Sequence, residues 1–306
     1  RVLFRSDDLA HDISAKFPHH PVNAIGFGRG SMGGYYTFAE VLKQMDTIHS
    51  LYPTITSARE SIGTTNEGRG LWIMRITDHP SVFEFGEPQV LYTAIHHARE
   101  PEGMMSLIYY MWWLVQNYNS NSEAAYLVNN RDMYFLPVVN PDGYVYNQTT
   151  NPNGGGMWRK NRRNNGDGTF GVDPNRNYGP FYMWNASNGG SSTSSSSDTY
   201  RGTDPFSEPE NQTIDNFMRN HNIKACLNYH TYGNYLIYPF GYLSAENSDS
   251  LIYRDMAYVM TSFNNYTSGT DLQTVNYSTR GNSDDYMFGD TTKPITWRSE
   301  EHTSEL

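Results

Sequence analysis

Twelve residues in the first third of the chain place ionisable side chains between two apolar stretches. The segment YTAIHHAREPEG, residues 92–103, contains two histidines, one arginine and two glutamates. Within it, His97 and Glu100 have H-x-x-E spacing and follow the apolar segment QVLYTAI. Imidazole and carboxylate groups bind catalytic zinc, which typically takes three protein ligands and leaves one position open. The segment therefore predicts two ligands of a metal site, with a third to be supplied elsewhere.

A second apolar segment, KACLNYH, ends at His230. Ligands of open α/β sheets gather beyond the carboxyl ends of the strands, so two such segments side by side would bring His230 to the H-x-x-E pair. We therefore take His230 as the candidate third ligand. His96 would point to the opposite side of an extended chain from His97, which indicates a residue that is either structural or merely exposed. An H-x-x-E pair alone is also common as a surface ion pair, so the assignment needs further motifs.

The segments around these residues alternate between helical and extended patterns. TFAEVLKQMDTIHSLYP has helical apolar spacing and a capping box of Thr37 and Glu40, and Pro101 opens another apolar helix. The strand segments are almost continuously apolar, which is typical of strands covered on both faces. We expect an α/β fold with a mixed, largely parallel twisted sheet and helices on both faces. PDGY (141–144) is predicted as a turn, and NGGSSTSSSSD (188–198) as a mobile surface loop.

The composition of the 306-residue chain limits its partners. A net charge of -10, from 22 Lys+Arg and 32 Asp+Glu, argues against nucleic acid as a partner. No apolar run reaches the roughly 18 residues that span a bilayer. Cys226 is the only cysteine, so no internal disulfide is available, and we expect it to be a small buried hydrophobe. We expect an exported, extracellular protein, because N-x-S/T sequences begin at Asn147, Asn185, Asn211, Asn265 and Asn276. We also expect a monomer.

Seven motifs along the chain carry a resemblance to a known family. They are HAREPEG, NPDGY, WRKNRR, GVDPNRN, YRGTDPFSEPE, NYHTYGNYLIYPFGY and YSTRGNSDDY. In order and separation they resemble the zinc metallocarboxypeptidases of the carboxypeptidase A/B type, the M14 peptidases. The resemblance implies one zinc ion per chain, bound by His97, Glu100 and His230. It also implies hydrolysis of the C-terminal peptide bond of peptides and proteins.

The resemblance assigns catalytic roles to side chains around the zinc. Arg159 matches the arginine that polarises the scissile carbonyl and stabilises the developing oxyanion. Asp173 matches the carboxylate that orients the first histidine ligand and raises its basicity. The family has a glutamate base shortly after an aromatic residue on a late strand, and Glu300 stands three residues after Trp297. Glu300 is therefore the candidate general base.

Five further residues match the substrate-binding part of the family site. Asn175 and Arg176 match the pair that binds the terminal carboxylate, for which a planar guanidinium is well suited. Arg99 matches a residue on the substrate side of the cleft, and Tyr277 the mobile tyrosine that closes over the bound residue. Asp284 falls where B-type enzymes hold an acidic pocket base, which implies a preference for C-terminal Lys or Arg. A shift of one residue would leave Asp284 on the rim of the pocket instead.

Both ends of the sequence differ in character from the rest. RVLFRS (1–6) and RSEEHTSEL (298–306) resemble translations of short-read sequencing adapters. We therefore expect the natural sequence to run from about residue 7 to 297, with a fold truncated at its C-terminus. Residues 7–34 are predicted as a lead-in or remnant of an activation segment, and 35–297 as the catalytic domain. If 298–306 is adapter-derived, the position of Glu300 is a coincidence.

Two other functions are compatible with the same motifs. One is a different amide hydrolase of the M14 type, such as a cell-wall peptide amidase or a deglutamylase. The other is a non-catalytic homologue that binds zinc or peptides without a general base. The NRN sequence that contains Asn175 and Arg176 favours a substrate with a free α-carboxylate.

Overall fold

The computed structural model describes residues 26–290 and 294–301. The strands are β1 Glu60–Thr64, β2 Gly70–Ile76, β3 Gln89–Ala94, β4 Asp132–Leu136, β5 Ile223–Thr231, β6 Tyr235–Ile237, β7 Thr267–Gly269 and β8 Ile295–Glu301. The helices are α1 Phe38–Leu51, α2 Pro101–Asn117, α3 Ser122–Asn130, α4 Pro141–Thr150, α5 Phe181–Trp184, α6 Pro209–Asn220, α7 Ser250–Thr261, α8 Asp271–Thr274 and α9 Ser283–Asp290, with a 3-10 turn at Pro174–Arg176. The described residues exclude the predicted adapter-like segment 1–6, most of the predicted lead-in 7–34, and residues 302–306.

One sheet carries the fold. The strands are ordered β1-β2-β4-β3-β5-β8-β6-β7 across the described residues. The four central strands, β4, β3, β5 and β8, pair in parallel, and antiparallel pairs flank them. Parallel strands end at the same edge of a sheet, so the segments that follow β4, β3 and β5 begin at one edge. The predicted mixed, largely parallel α/β sheet is confirmed.

Helices pack on both faces of this sheet. Alternate residues of β3, such as Tyr92, pack with α1 and α2 in one apolar cluster. The intervening residues, such as Leu91, pack with α6 and α9 in a second cluster that includes Cys226. Strands buried on both faces in this way explain the nearly continuous apolar segments of the sequence. The buried position of Cys226 agrees with its prediction.

Local signals set the helix starts. Thr37 and Glu40 form the predicted capping box at α1. The prediction of an isolated turn at PDGY is wrong, because these residues begin the ten-residue helix α4. The Asn140 side chain accepts a hydrogen bond from the Gly143 N–H, and Pro141 occupies the first helical position. Asn-Pro-Asp begins helices as well as turns, and here the helix continues.

The described helices include none that is both long and apolar enough to cross a membrane.

Candidate active site

Three predicted ligands meet at the carboxyl ends of β3 and β5. Nδ1 of His97 lies 2.7 Å from Oε1 of Glu100, and Nδ1 of His230 lies 2.9 Å from Oε2 of the same carboxylate. The two Nδ1 atoms are 3.1 Å apart. His97 and Glu100 lie between the end of β3 and the start of α2, while His230 is near the end of the adjacent β5. The fold therefore brings together residues that are 130 positions apart in the chain.

The protonation states of this cluster suit metal binding. Burial acts to raise the pKa of Glu100, but its electrostatic interactions and hydrogen bonds with His97 and His230 outweigh burial and hold that pKa well below its usual value. Burial lowers the pKa of His230 to about 3, against the opposing effect of Glu100. At neutral pH Glu100 is therefore ionised and His230 is neutral. These are the forms in which a carboxylate and an imidazole bind a metal.

The cluster also fits the donor set of zinc. Two imidazole nitrogens and one carboxylate are ligands typical of a catalytic zinc site. Ligands about 2.0–2.1 Å from a tetrahedral zinc are about 3.3 Å from one another. The measured separations of 2.7 to 3.1 Å between the donor atoms are close to this spacing. His97, Glu100 and His230 could thus hold one ion together.

Asp173 connects the cluster to Arg159. Oδ1 of Asp173 lies 3.2 Å from Nε2 of His97, close enough for an ion pair, although the two atoms are not aligned for a hydrogen bond. Oδ2 accepts hydrogen bonds from Nε and Nη2 of Arg159 at 3.0 and 2.9 Å. Burial acts to raise the pKa of Asp173, but Arg159 and His97 outweigh it and keep that pKa well below its usual value. A buried, ionised Asp173 therefore holds Arg159 by two hydrogen bonds and lies beside His97.

An asparagine and a glycine hold the loop that carries Arg159 against the H-x-x-E segment. Nδ2 of Asn147 donates to the carbonyl oxygens of Ala98 and Trp158. The N–H of Ala98 donates to the carbonyl oxygen of Arg159 at 3.0 Å. A Cβ at Gly143 would lie 2.3 Å from the carbonyl oxygen of Lys160, so only glycine permits this approach. The sequence marks Asn147 only as the first residue of an N-x-S/T sequence. In the structure its side chain is buried and holds this loop.

His96 has a structural role, which is one of the two interpretations of the sequence. It is fully buried, and its Nε2 lies 2.9 Å from the hydroxyl of Tyr178. Burial lowers the pKa of His96 well below its usual value, so the ring is neutral. Its ring stacks on that of His230 with 5.4 Å between the centroids. His96 thus packs against the candidate ligand His230.

A cleft of about 430 Å³ contains several of the predicted substrate residues. It is lined by Arg99, Arg159, Arg176, Gly190, Ser191, Asp198, Thr199 and Tyr277. Three arginines face one tyrosine across it, and Tyr277 is 49% exposed. Fixed guanidinium groups at a concave surface favour an anionic ligand such as a carboxylate. The cleft therefore has the chemistry expected for a peptide C-terminus.

The 3-10 turn at residues 174–176 positions Asn175 and Arg176. Nε of Arg176 donates to the carbonyl oxygen of Gly190, and Nη1 donates to that of Asn175, both at 2.7 Å. Oδ1 of Asn175 accepts from the N–H of Ser283, while its Nδ2 is 3.5 Å from Nε2 of His230. Arg176 thus lines the cleft with a fixed guanidinium. Asn175 is fully buried beside the candidate metal ligands and is not among the residues that line the cleft.

The segment predicted as a mobile surface loop forms a wall of the cleft. Gly190 and Ser191 lie against Arg176 and Arg280, whose Nε donates to the hydroxyl of Ser191 at 2.7 Å. Asp198 pairs with Arg99 at 3.1 Å. Low-complexity sequence gave no signal of these contacts, because serine and glycine have no periodic pattern that marks a buried side. This wall is therefore a feature that the sequence did not predict.

Asp284 is buried on α9 below the candidate metal ligands. Its Oδ1 accepts a hydrogen bond from Nδ2 of Asn228 on β5 at 2.6 Å. Burial raises the pKa of Asp284 to about 7, although the charge of Arg298 opposes this. The neighbouring Asp285 accepts hydrogen bonds from the N–H groups of Gly241 and Tyr242. Asp284 is not among the residues that line the cleft as described.

Glu300 is brought beside the cluster by β8. In the parallel pairing of β5 and β8, Glu300 lies opposite His230. It is buried and forms an ion pair with Nη2 of Arg298 on the same strand. Burial raises the pKa of Glu300, while Arg298 acts to lower it. Glu300, the candidate base, therefore lies next to the candidate ligand His230, and its carboxylate is paired with the guanidinium of Arg298.

Comparison with known proteins agrees with this geometry. The family model for zinc carboxypeptidases matches residues 41–303. This chain belongs to the zinc carboxypeptidase family. The assignment confirms the M14 resemblance noted from the motifs. The buried cluster of His97, Glu100 and His230 could bind the metal of such a family.

Individual relatives of this zinc carboxypeptidase chain are distant. Carboxypeptidase A2 of Rattus norvegicus is 33% identical over 226 residues, which cover 72% of this chain and 50% of that protein. Carboxypeptidase A4 of Mus musculus is 32% identical over 85% of this chain and 61% of that protein. The chain thus spans about half the length of the first of these relatives. The crystal structure of carboxypeptidase A from Helicoverpa armigera is similar with a TM-score of 0.76 and 26% identity, covering 98% of this chain and 71% of that one.

Proposed function

We propose that this chain is a zinc-dependent exopeptidase that removes C-terminal residues from peptides and proteins. One observation carries the proposal: the His97–Glu100–His230 cluster connects through Asp173 to Arg159, which lines the same cleft as Arg176. The cluster of two histidines and a glutamate suits a metal ion. Arg159 suits a substrate carbonyl, and Arg176 suits a terminal carboxylate. This combination favours hydrolysis next to a free chain end.

The cluster of His97, Glu100 and His230 would hold the zinc. When bound, zinc polarises the substrate carbonyl and activates a water molecule for attack. The protein residues supply the remaining functions. Asp173 keeps His97 oriented, and the ion pair from Asp173 to Arg159 holds the guanidinium beside the cluster.

Arg159 and Glu300 are the proposed catalytic residues. Nε and Nη2 of Arg159 bind Asp173, while Nη1 lies on the side of Glu100, 3.7 Å from its Oε1. From there the guanidinium can donate to a carbonyl oxygen that becomes negative in the transition state. Glu300 takes a proton from the attacking water and passes it to the leaving amine. Its position opposite His230 supports this role.

We assign recognition of the substrate's chain end to Arg176 and Tyr277. We assign Arg99 to the part of the same cleft that binds the substrate residues before the cleaved bond. Arg176 is fixed by two backbone carbonyls and can present its guanidinium to a carboxylate. Tyr277 is half exposed, so its ring can move over a bound residue. We assign Asn175 to the same subsite, as a residue that supports Arg176 and His230 from below.

A preference for C-terminal Lys or Arg is a finer proposal that rests on Asp284. A buried carboxylate on the ligand side of the sheet supports it. The named relatives are A-type carboxypeptidases, so the preference needs its own test. Peptides that differ only in a last residue of Lys, Phe or Leu provide it. Equal rates for all three would remove the proposed preference and leave the exopeptidase function intact.

We further propose that the protein acts outside the cell as a monomer. The N-x-S/T sequences at Asn185, Asn265 and Asn276 support export, because these three side chains are exposed. Asn147 and Asn211 are buried and donate hydrogen bonds to backbone carbonyls, so these two N-x-S/T sequences do not support export. Fractionation of expressing cells, with sedimentation of the purified protein, tests both points.

The function is tested by incubating the zinc-loaded protein with three substrate classes and identifying the products by mass spectrometry. The classes are unmodified peptides, peptides with a γ-linked C-terminal glutamate, and cell-wall tripeptides. Release of single C-terminal residues from unmodified peptides is expected. Cleavage confined to one of the other classes would assign the chain to a different amide hydrolase. Binding of all three without turnover would indicate a non-catalytic homologue.

A further inference from the structure

A carboxylate lies among the guanidinium groups of the cleft. Asp198 is the only acidic residue among the described residues that line the cleft, and it lies there with Arg99, Arg159 and Arg176. Its Oδ2 accepts a hydrogen bond from Nη1 of Arg99 at 3.1 Å. The side chain of Asp198 is 63% exposed, whereas that of Arg99 is 29% exposed. Asp198 therefore presents an accessible negative charge in a cleft that is otherwise positive.

The segment that carries Asp198 is anchored on both sides of this residue. Before it, Nζ of the buried Lys160 donates to the carbonyl oxygen of Ser195 at 2.7 Å. After it, the carbonyl oxygen of Tyr200 accepts a hydrogen bond from the N–H of Asp173 at 2.7 Å. The exposed carboxylate of Asp198 thus stands on a backbone that is fixed relative to the candidate active site. Little ordering is then needed when Asp198 meets a ligand.

Arg99 locates Asp198 along a bound peptide. Arg99 lines the cleft and also a second cavity of about 170 Å³, and neither Arg176 nor Tyr277 lines that second cavity. With the terminal carboxylate of a substrate at Arg176, a peptide that runs past Arg99 leads towards the second cavity. The residues before the cleaved bond therefore pass the ion pair of Arg99 and Asp198.

The other guanidinium groups of the cleft have partners of their own. Arg159 is held by two hydrogen bonds to the ionised Asp173. The charge of Arg176 is assigned to the terminal carboxylate of the substrate. The charges that remain for the residues before the cleaved bond are therefore those of Arg99 and Asp198, and Asp198 is the more exposed of the two.

We propose that Asp198 sets the charge preference for the two substrate residues before the cleaved bond, favouring a basic side chain and disfavouring an acidic one. This inference rests on the proposed function. A substrate Lys or Arg can pair with the exposed carboxylate of Asp198 while Arg99 stays in place. A substrate Glu or Asp would have to displace Asp198 from Arg99, and two carboxylates at such a short distance repel each other.

The test measures kcat/KM of the zinc-loaded full chain for peptides that share one last residue. The peptides carry Lys, Gln or Glu at the penultimate or the third-to-last position. In D198N the Lys-to-Glu ratio of kcat/KM is expected to fall about five- to tenfold at one of these positions, because the variant loses both an attraction and a repulsion at a partly exposed site. R99Q leaves Asp198 without its partner and is expected to raise the same ratio.

The controls separate a charge effect from a structural one. Loss of a purely structural ion pair would lower kcat/KM for all the peptides alike, in D198N and in R99Q. D255N removes an exposed carboxylate of α7 that does not line the cleft, and it should keep the ratio of the parent. D198S removes the same charge with a different side chain, and it takes the place of D198N if that variant fails to fold. About 1 M NaCl, which screens charges beyond about 3 Å, should bring the ratio of the parent closer to that of D198N.

The outcomes separate this inference from the proposed function. If the parent releases C-terminal residues and the Lys-to-Glu ratio in D198N and D198S equals that of the parent at both positions, the inference about Asp198 is overturned and the function stands. A ratio that falls in R99Q as it does in D198N also overturns the inference, since the sign of the charge would not be the cause. If the parent and every variant bind zinc but none releases a C-terminal residue, both the function and the inference fail.

Discussion

The carboxylate of Asp173 accepts hydrogen bonds from both Nε and Nη2 of Arg159, at 3.0 and 2.9 Å. Its other oxygen lies 3.2 Å from Nε2 of His97. A single buried carboxylate therefore fixes a candidate metal ligand and a candidate oxyanion donor relative to each other. Since both must act on the same carbonyl, their relative placement matters more than either position alone.

Replacing Asp173 should weaken the site through its neighbours. In D173N one oxygen becomes an N–H donor, so one of the contacts to Arg159 or His97 is lost. We expect zinc affinity to fall about 10- to 100-fold, as for other residues that orient metal ligands, and kcat to fall with zinc saturating. Competition with a chelator measures the first and steady-state kinetics the second. D46N, at an exposed pair with Arg59, is the control, and equal behaviour of the two variants would argue against the role of Asp173.

Loss of a metal ligand should remove both zinc and turnover. H97A leaves Glu100 and His230 as the remaining pair, which is too few for a tight zinc site. We expect the purified variant to lose its stoichiometric zinc, measured by atomic absorption, together with peptidase activity. H221A is the matched control, because His221 lies at the end of α6 and its Nδ1 contacts a backbone carbonyl. Retention of either zinc or turnover in H97A would contradict the assignment.

Arg176 should act mainly on recognition of the chain end. R176K keeps the charge but loses the planar fork that donates two parallel hydrogen bonds. We expect kcat/KM for peptides with a free carboxylate to fall about 10- to 100-fold, which is about 1.4–2.7 kcal/mol. R219A, at an exposed arginine of α6, should match the parent. An R176K variant with unchanged kcat/KM would exclude Arg176 from the carboxylate subsite.

Asp284 should make stability depend on pH in a definite direction. Its pKa is raised to about 7 in the folded protein, chiefly by burial, from a usual value of 3.8. Between these values the folded state holds a proton that the unfolded state has lost. The stability from Asp284 is therefore present below pH 3.8 and is lost as the pH rises to about 7.

D284N removes this dependence and keeps an oxygen that can accept from Asn228. Relative to the parent, its free energy of unfolding in urea should increase between pH 5 and pH 7.5, by about 1–3 kcal/mol. D285N is the contrasting variant, since Asp285 accepts from the N–H groups of Gly241 and Tyr242, and an amide cannot replace both oxygens as acceptors. It should be destabilised. A D284N effect that is the same at both pH values would show that Asp284 does not titrate as described.

The sequence predicted the parts of the site that depend on strand ends and motifs. His97, Glu100 and His230 lie at the carboxyl ends of apolar segments, and adjacent parallel strands such as β3 and β5 bring such ends together. The wall formed by Gly190 and Ser191 could not be predicted, because its contacts depend on tertiary placement of a segment without periodicity. The ion pair of Arg298 with Glu300 joins residues two apart on β8, and side chains at this spacing lie on the same face of a strand.

The site roles of Asn175, Tyr277 and Asp284 came from the resemblance alone, as did those of Arg99, Arg159, Asp173, Arg176 and Glu300. All of them stay predictions. Both the oxygen and the nitrogen of the Asn175 side chain lie close to protein atoms, the N–H of Ser283 and Nε2 of His230. The N175A variant would test whether Asn175 also contacts the substrate. The helix at residues 141–150 was missed for a local reason. The same Asn-Pro-Asp residues begin turns and helices, and only the packing of Tyr144 and its neighbours decides between them.

The most direct measurement compares a peptide with a free C-terminal carboxylate and its C-terminal amide, each incubated with the zinc-loaded protein and analysed by mass spectrometry. The account predicts stepwise loss of single residues from the free peptide, little or no change in the amide, and loss of activity when a chelator removes the zinc. Cleavage at internal bonds, equal cleavage of the amide, or undiminished turnover without zinc would contradict a zinc-dependent exopeptidase that binds the terminal carboxylate.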